Sequence, residues 1–368
     1  MTYLWLWSCL IAGGLLLLAG CADNDEEAQQ SPVAQPEEES HLELHAITRT
    51  DGAYSIPDAE NPASSVKLFL ATLTTDESPN LYTLTEGTYS YINNQWSSTA
   101  APTVKEETQY YMYGYMPSSI SATQSAPDGD YSKGIDLTLS NLPAITTDDI
   151  GILVGVERVG SITMESPNVN EGVYGFRSGI KGENFVNLLM AHLYAKLKLN
   201  FKMDPDYAKL RSIHLKEVKL TSKYADGASV TVNLRSGKGI GTPSFPSGSE
   251  GTEEHTMTLF KSSPIIPEKV LDQSHSKPDD PALTLDVPAY CRPMDMEGSY
   301  NLTLTTKYDV YDTKDQNLGE RTSVNKIVFN VTEIRPGQEK NLVLTVNPTY
   351  LYILSDNDTD NPTITLGE

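Results

Sequence analysis

Apolar and polar residues alternate in short runs, punctuated by Gly, Pro, Asn and Asp, and this constrains the 368-residue chain more than any other feature. Leu193, Ala195, Leu197, Leu199, Phe201 and Met203 alternate with Tyr194, Lys196, Lys198, Asn200 and Lys202. Neighbouring side chains of a strand point to opposite faces, so a period of two marks a half-buried strand, not a helix. Comparable β-type runs cover 66–73, 109–116, 135–139 and 150–156, the last almost continuously apolar, as expected of a strand covered on both faces. Tyr300, Leu302, Leu304, Thr306, Tyr308 and Val310 share one face of a long strand. Val218 and Leu220 lead through Asp226-Gly227, a preferred two-residue turn, into Val230, Val232 and Leu234, which predicts a hairpin. Ile213 and Leu215 keep the opposite parity from Val218 and Leu220, which predicts a bulge near Lys216-Glu217. Ile327, Phe329 and Val331 pass through Arg335-Pro336-Gly337 to Leu342, Leu344 and Val346. The fold expected is all-β, two antiparallel β-sandwiches with a boundary near 179–184. The one helical turn expected is around 184–190, where strand parity breaks.

The N-terminus reads differently. From Leu4 to Gly20 the chain is apolar without a charged side chain, shorter than the roughly 20 residues of a membrane-spanning helix. It closes on Leu18-Ala19-Gly20-Cys21, small residues before a cysteine, the pattern of a cleaved lipoprotein signal peptide over 1–20 with Cys21 as the lipidated N-terminus. No Lys or Arg precedes the apolar run, which places the true start codon in question. The segment that follows is rich in Gln, Pro, Ser and Glu and buries too little apolar surface to offset its chain entropy, so a disordered tether is expected.

Charge and cysteine content narrow the function. The formal net charge is -22, and residues 22–45 contribute eight acidic side chains against no Lys or Arg. Nucleic acid is therefore not an expected partner, because phosphate binding needs a basic surface. Beyond the signal only Cys21 and Cys291 remain, so no intramolecular disulfide is expected. Cys291 reads as a small buried apolar residue.

Recognisable chemistry is missing from the sequence. The six histidines form no zinc-binding spacing, and there is no nucleophile elbow, phosphate loop or dinucleotide fingerprint. No metal, cofactor or catalytic residue is therefore assigned. Asp356, Asp358 and Asp360 are spaced like the start of a calcium loop, but Asn361 and Gly367 stand where Gly and Glu are needed, so an acidic turn is the expectation. Tyr110, Tyr111, Tyr113 and Tyr115 suit either half-buried sheet packing or a sugar-stacking platform.

Several ordered segments resemble the fimbrillin family of Bacteroidales, subunits of lipoprotein-derived pili. They are the lipobox 18–21, His45-Ala46-Ile47-Thr48-Arg49-Thr50, the Trp96 region leading into 110–117, Met190-Ala191-His192-Leu193-Tyr194-Ala195-Lys196-Leu197, and the Pro336-Gly337 hairpin with its closing strand. The resemblance implies two transthyretin-like sandwiches, over 50–182 and 183–368, and no enzymatic activity. It also implies export as a lipidated precursor to the outer membrane and cell surface, in keeping with the acidic cluster after Cys21. A processing protease would cut after an arginine, and Arg49, followed by Thr50, sits at that place. The cut would release an N-terminal strand within 21–49 and open a groove for a neighbour's C-terminal strand. The residues agree in pattern, since Leu42, Leu44, Ala46 and Thr48 alternate with His41, Glu43, His45 and Ile47. At the other end, Tyr350, Tyr352 and Leu354 share one parity, and Ile364 and Leu366 offer apolar side chains for a donor strand.

The expected function is thus a fimbrial shaft subunit whose partners are other pilin subunits, the membrane through its lipid, and a protease. A surface glycan-binding lipoprotein, or a pilus anchor or tip subunit, is the alternative.

Overall fold

The computed structural model describes residues 39–49, 65–74, 81–93, 95–158, 163–164, 175–235, 243–248, 250–347 and 363–366. The described residues fall within one compact unit and are mostly strand.

The largest sheet has nine strands. Its main path runs Glu43–Arg49, Phe185–His192, Gly151–Arg158, Gln109–Met116, Ser65–Leu73, Tyr82–Ile92 and Gln95–Ser97. Both faces of this sheet are covered. Leu68, Leu70, Met112, Val186, Leu188 and Met190 fill one core, while Phe69, Tyr113, Tyr115, Ile152 and Val154 fill a second against the three-stranded sheet of Ser121–Ser125, Gly134–Leu142 and Ala228–Arg235. The apolar run 150–156 follows from this double cover.

A third core lies between the two remaining large sheets. One orders Ile145–Thr146, Ala289–Cys291, Ala195–Met203, Glu339–Asn347 and Thr363–Leu366; the other orders Glu250–Lys261, Arg211–Tyr224, Ser299–Asp312 and Asn317–Asn330. Leu197, Leu199 and Phe201 of the first meet Leu220, Leu304 and Tyr308 of the second in this core. The alternating face from Tyr300 to Val310 is buried throughout. The expected bulge is present, as a register shift between Leu215 and Glu217 against Ser299–Asp312.

Three local expectations are corrected. The stretch 184–190 is no helical turn: Phe185–His192 is a strand in which Val186, Leu188, Met190 and His192 are buried in strict alternation. Its parity looked broken because Leu189 and Ala191 also meet an apolar core on the opposite face. The one α-helical turn found in the described residues is Pro205–Ala208, capped by the Asp204 carboxylate, which accepts from the N–H groups of Asp206 and Tyr207 at 3.0 and 2.9 Å.

Asp226-Gly227 does not close a hairpin either. Ala228–Arg235 pairs with Gly134–Leu142, not with Arg211–Tyr224. Gly227, at φ +80, donates to the Leu142 carbonyl at 3.1 Å, and Asp226 accepts from the Ala144 N–H at 2.7 Å. The turn is therefore tied to a distant strand. Likewise, Pro336-Gly337 carries the chain across the sandwich. Glu339–Asn347 runs parallel to Ala195–Met203, while Asn317–Asn330 stays in the other sheet. The turn is fixed by the Gly337 N–H on the Tyr194 carbonyl at 3.1 Å. The sequence boundary at 182–183 falls just before Phe185–His192, a strand that continues the nine-stranded sheet.

Candidate functional site

The N-terminal described segment occupies a seat at the rim of the nine-stranded sheet. Glu39–His41 pairs antiparallel with Thr103–Lys105, and Glu43–Arg49 pairs parallel with Phe185–His192 as the sheet's outermost strand. Leu42, between them, is 0% exposed and Leu44 is 4% exposed. Both belong to the core formed with Val66, Leu68, Tyr89 and Val186.

Polar contacts hold the main chain of this segment. Leu42 donates its N–H to the Pro102 carbonyl at 2.9 Å, and its own carbonyl accepts from the Tyr89 hydroxyl at 2.6 Å. Burial, helped by the Glu43 carboxylate, pushes the Tyr89 phenol well above its ordinary range, so it remains a donor. Glu43 donates to the Asn184 carbonyl at 2.8 Å. The Asn184 side chain, itself buried, donates to the Ser40 hydroxyl at 2.8 Å and accepts from the Gly179 N–H at 2.8 Å. The His45 ring stacks on Phe185 at 4.2 Å between centroids.

Beside the strand runs a cavity of about 660 Å³ lined by Leu42, Leu44, Tyr89, Trp96, Ala100 and Ala101, among others. The buried Trp96 indole N–H has no hydrogen-bond partner among the described residues. The seat is thus a slot with apolar sockets, main-chain hooks and spare volume.

Arg49 is the last residue of the strand, opposite Met190. The simple alternation expected through Ala46 is interrupted: a register shift sets Leu44 opposite Val186, but Ala46 opposite Asn187 and Ile47 opposite Leu188. The extra residue at this step lies on the N-terminal strand, as in a bulge. Cys21, Thr50, the acidic turn 356–361 and Tyr350, Tyr352 and Leu354 lie outside the described residues. At the other end, Thr363–Leu366 pairs antiparallel with Glu339–Asn347, with Ile364 opposite Val346 and Leu366 opposite Leu344, and is the last strand of its sheet. The structure does not bring the two termini of the proposed exchange together; each sits on its own sheet rim.

Other candidates prove to be packing. Tyr110, Tyr113 and Tyr115 are at most 4% exposed and build cores, and the half-buried Tyr111 packs against one of them, edge-on to Tyr82, so the four form no coplanar stacking platform. Cys291 is fully buried, and burial pushes its thiol far up, out of the nucleophilic range. The residues that hold the seat, Tyr89, Pro102 and Asn184, had no motif to mark them. The one available signal was the Tyr-Ser-Tyr alternation of 89–91, which predicts a strand but not a hook.

By sequence the chain matches no protein family and no curated protein. Among solved structures it is similar to a fimbrial protein from Bacteroides vulgatus ATCC 8482, at 14% identity over 89% of this chain and 98% of that one, with a TM-score of 0.45. It is also similar to a protein provisionally assigned to cell adhesion from Bacteroides uniformis ATCC 8492, at 12% identity over 90% and 98% of the two chains, with a TM-score of 0.38.

Proposed function

We propose that this chain is a structural pilin, a shaft subunit of a surface fibre. In this reading it is exported as a lipoprotein anchored through Cys21, cut between Arg49 and Thr50, and polymerised by strand exchange. One observation carries the reading. The segment ending at Arg49 lies at a sheet rim, with Glu43–Arg49 outermost among the described residues, yet its Leu42 and Leu44 fill core sockets. While the chain is intact, that segment returns to its seat intramolecularly. A cut after Arg49 turns it into a separate peptide, and a strand from a second copy then competes for the same sockets. Each buried leucine is worth roughly 1.5 to 3 kcal/mol, so an emptied seat strongly favours refilling. Thr363–Leu366, a four-residue outermost strand held on one side in its sheet, is the segment suited to leave and donate.

Comparing wild type with Arg49→Ala after protease treatment tests this. The wild type is expected to form a ladder of oligomers and the variant to stay monomeric. A ladder from Arg49→Ala that matches the wild type contradicts the reading.

A further inference from the structure

We infer that Tyr89, backed by Pro102, is the residue that sets the register of any strand filling the seat. This rests on the exchange reading above and adds what fixes the incoming strand in place. The antiparallel ladder pairs Glu39 with Lys105, Ser40 with Val104 and His41 with Thr103. One further step brings Leu42 opposite Pro102. Facing residues in a hydrogen-bonded antiparallel pair exchange two bonds. Here one is made, from Leu42 N–H to the Pro102 carbonyl, and its reciprocal is impossible because proline has no N–H. The Leu42 carbonyl is buried at this point and takes its bond from the Tyr89 hydroxyl instead, at 2.6 Å. On the next residue the main chain changes partner, with Glu43 N–H passing to the Asn184 carbonyl and the parallel strand beyond it.

The seat therefore has one place where a strand can switch from an antiparallel to a parallel neighbour, and a phenol marks it. A strand shifted by one residue turns its polar side chains into the sockets of Leu42 and Leu44. The ligand class is an extended peptide with an apolar-polar-apolar triplet whose first residue can both donate and accept. Ile364-Thr365-Leu366 of a second copy has that form. Its register is then fixed: Ile364 takes the place of Leu42, Thr365 that of Glu43, and Leu366 that of Leu44. Pro362 falls at the place of Ser40 and cannot donate, so this tail grips less of the ladder than the native segment does.

Exchange of two fluorescent peptides, residues 39–49 and residues 361–368, into full-length protein cleaved after Arg49 and still holding its own first strand tests this by anisotropy. N-methylation of the first peptide at Leu42 or Glu43 leaves the protein untouched and is expected to weaken binding about tenfold or more. Tyr89→Phe is expected to weaken both peptides by a similar factor, while the uncleaved variant keeps the wild-type circular dichroism. Affinities that change less than about twofold under both modifications overturn the register role, even if strand exchange itself occurs. If residues 39–49 bind with this sensitivity and 361–368 do not bind, the register role stands and the tail is not the donor.

Discussion

Gly87 and Pro102 pack so closely that a Cβ on Gly87 would lie 2.4 Å from the Pro102 Cδ. Because the Pro102 carbonyl receives Leu42, the absence of a side chain at 87 lets the wall of the seat close on the N-terminal strand. Gly87→Val is expected to force that wall outward, at about 1 to 3 kcal/mol by the usual cost of overpacking. Protection of the Leu42 amide in hydrogen exchange should fall more than protection of the Leu304 amide in the distant core. Equal loss at both sites would show that Gly87 does not act on the seat.

Leu42→Ala removes a side chain with no exposure. The expected loss in the uncut monomer is about 2 to 5 kcal/mol, the range for truncating a buried leucine. Chemical denaturation measures it. A loss below about 1 kcal/mol would mean the socket collapses at no cost, and the seat would then have little drive to be refilled.

Asp130 gives a pH test independent of the seat. Burial pushes its carboxyl up, but hydrogen bonds from Ser132, Lys133 and Tyr82 outweigh this and hold it down at about 2. A carboxylate with a lowered native pKa contributes stability that is fully present above its unfolded value, near 4, and is lost as pH falls toward 2. Asp130→Asn is therefore expected to lower the thermal midpoint at pH 7 and to approach the wild type near pH 2. A midpoint difference that stays constant over that window contradicts the assignment.

How much of this was legible in the sequence depended on whether a strand had one covered face or two. Leu197 to Met203 shows its period directly, whereas Leu193 and Tyr194 precede the strand Ala195–Met203 and are buried in another core; the parity change at Lys216-Glu217 located a real bulge. Phe185–His192 hid its alternation because cores lie on both sides. Asp226-Gly227 and Pro336-Gly337 were recognisable as turns. Which strand each turn serves is decided by contacts such as Gly227 to Leu142 and Gly337 to Tyr194, 85 and 143 positions away by residue number, and local pattern carries no information on these. Leu42 and Leu44 were legible as apolar, but the hook on Leu42 arises from what Pro102 lacks and Tyr89 supplies, a relationship between residues far apart in the chain.

The tail gives a fourth test. Among the described residues Thr363–Leu366 has a single partner strand in its sheet. Ile364→Asp combined with Leu366→Asp is expected to lower the monomer's thermal midpoint, because the register sets these residues opposite the buried Val346 and Leu344, and to block polymerisation of the folded fraction cut at Arg49. Fibres still formed by the folded fraction would remove the tail as donor.

If subunits join as proposed, the strand ending at Arg49 leaves its seat. Mass spectrometry of the N-terminus of fibres purified from the cell surface tests this most directly. Subunits are expected to begin at Thr50 and to contain no peptide from 39–49. Fibres whose subunits begin at Cys21 and retain Leu42 and Leu44 would contradict it.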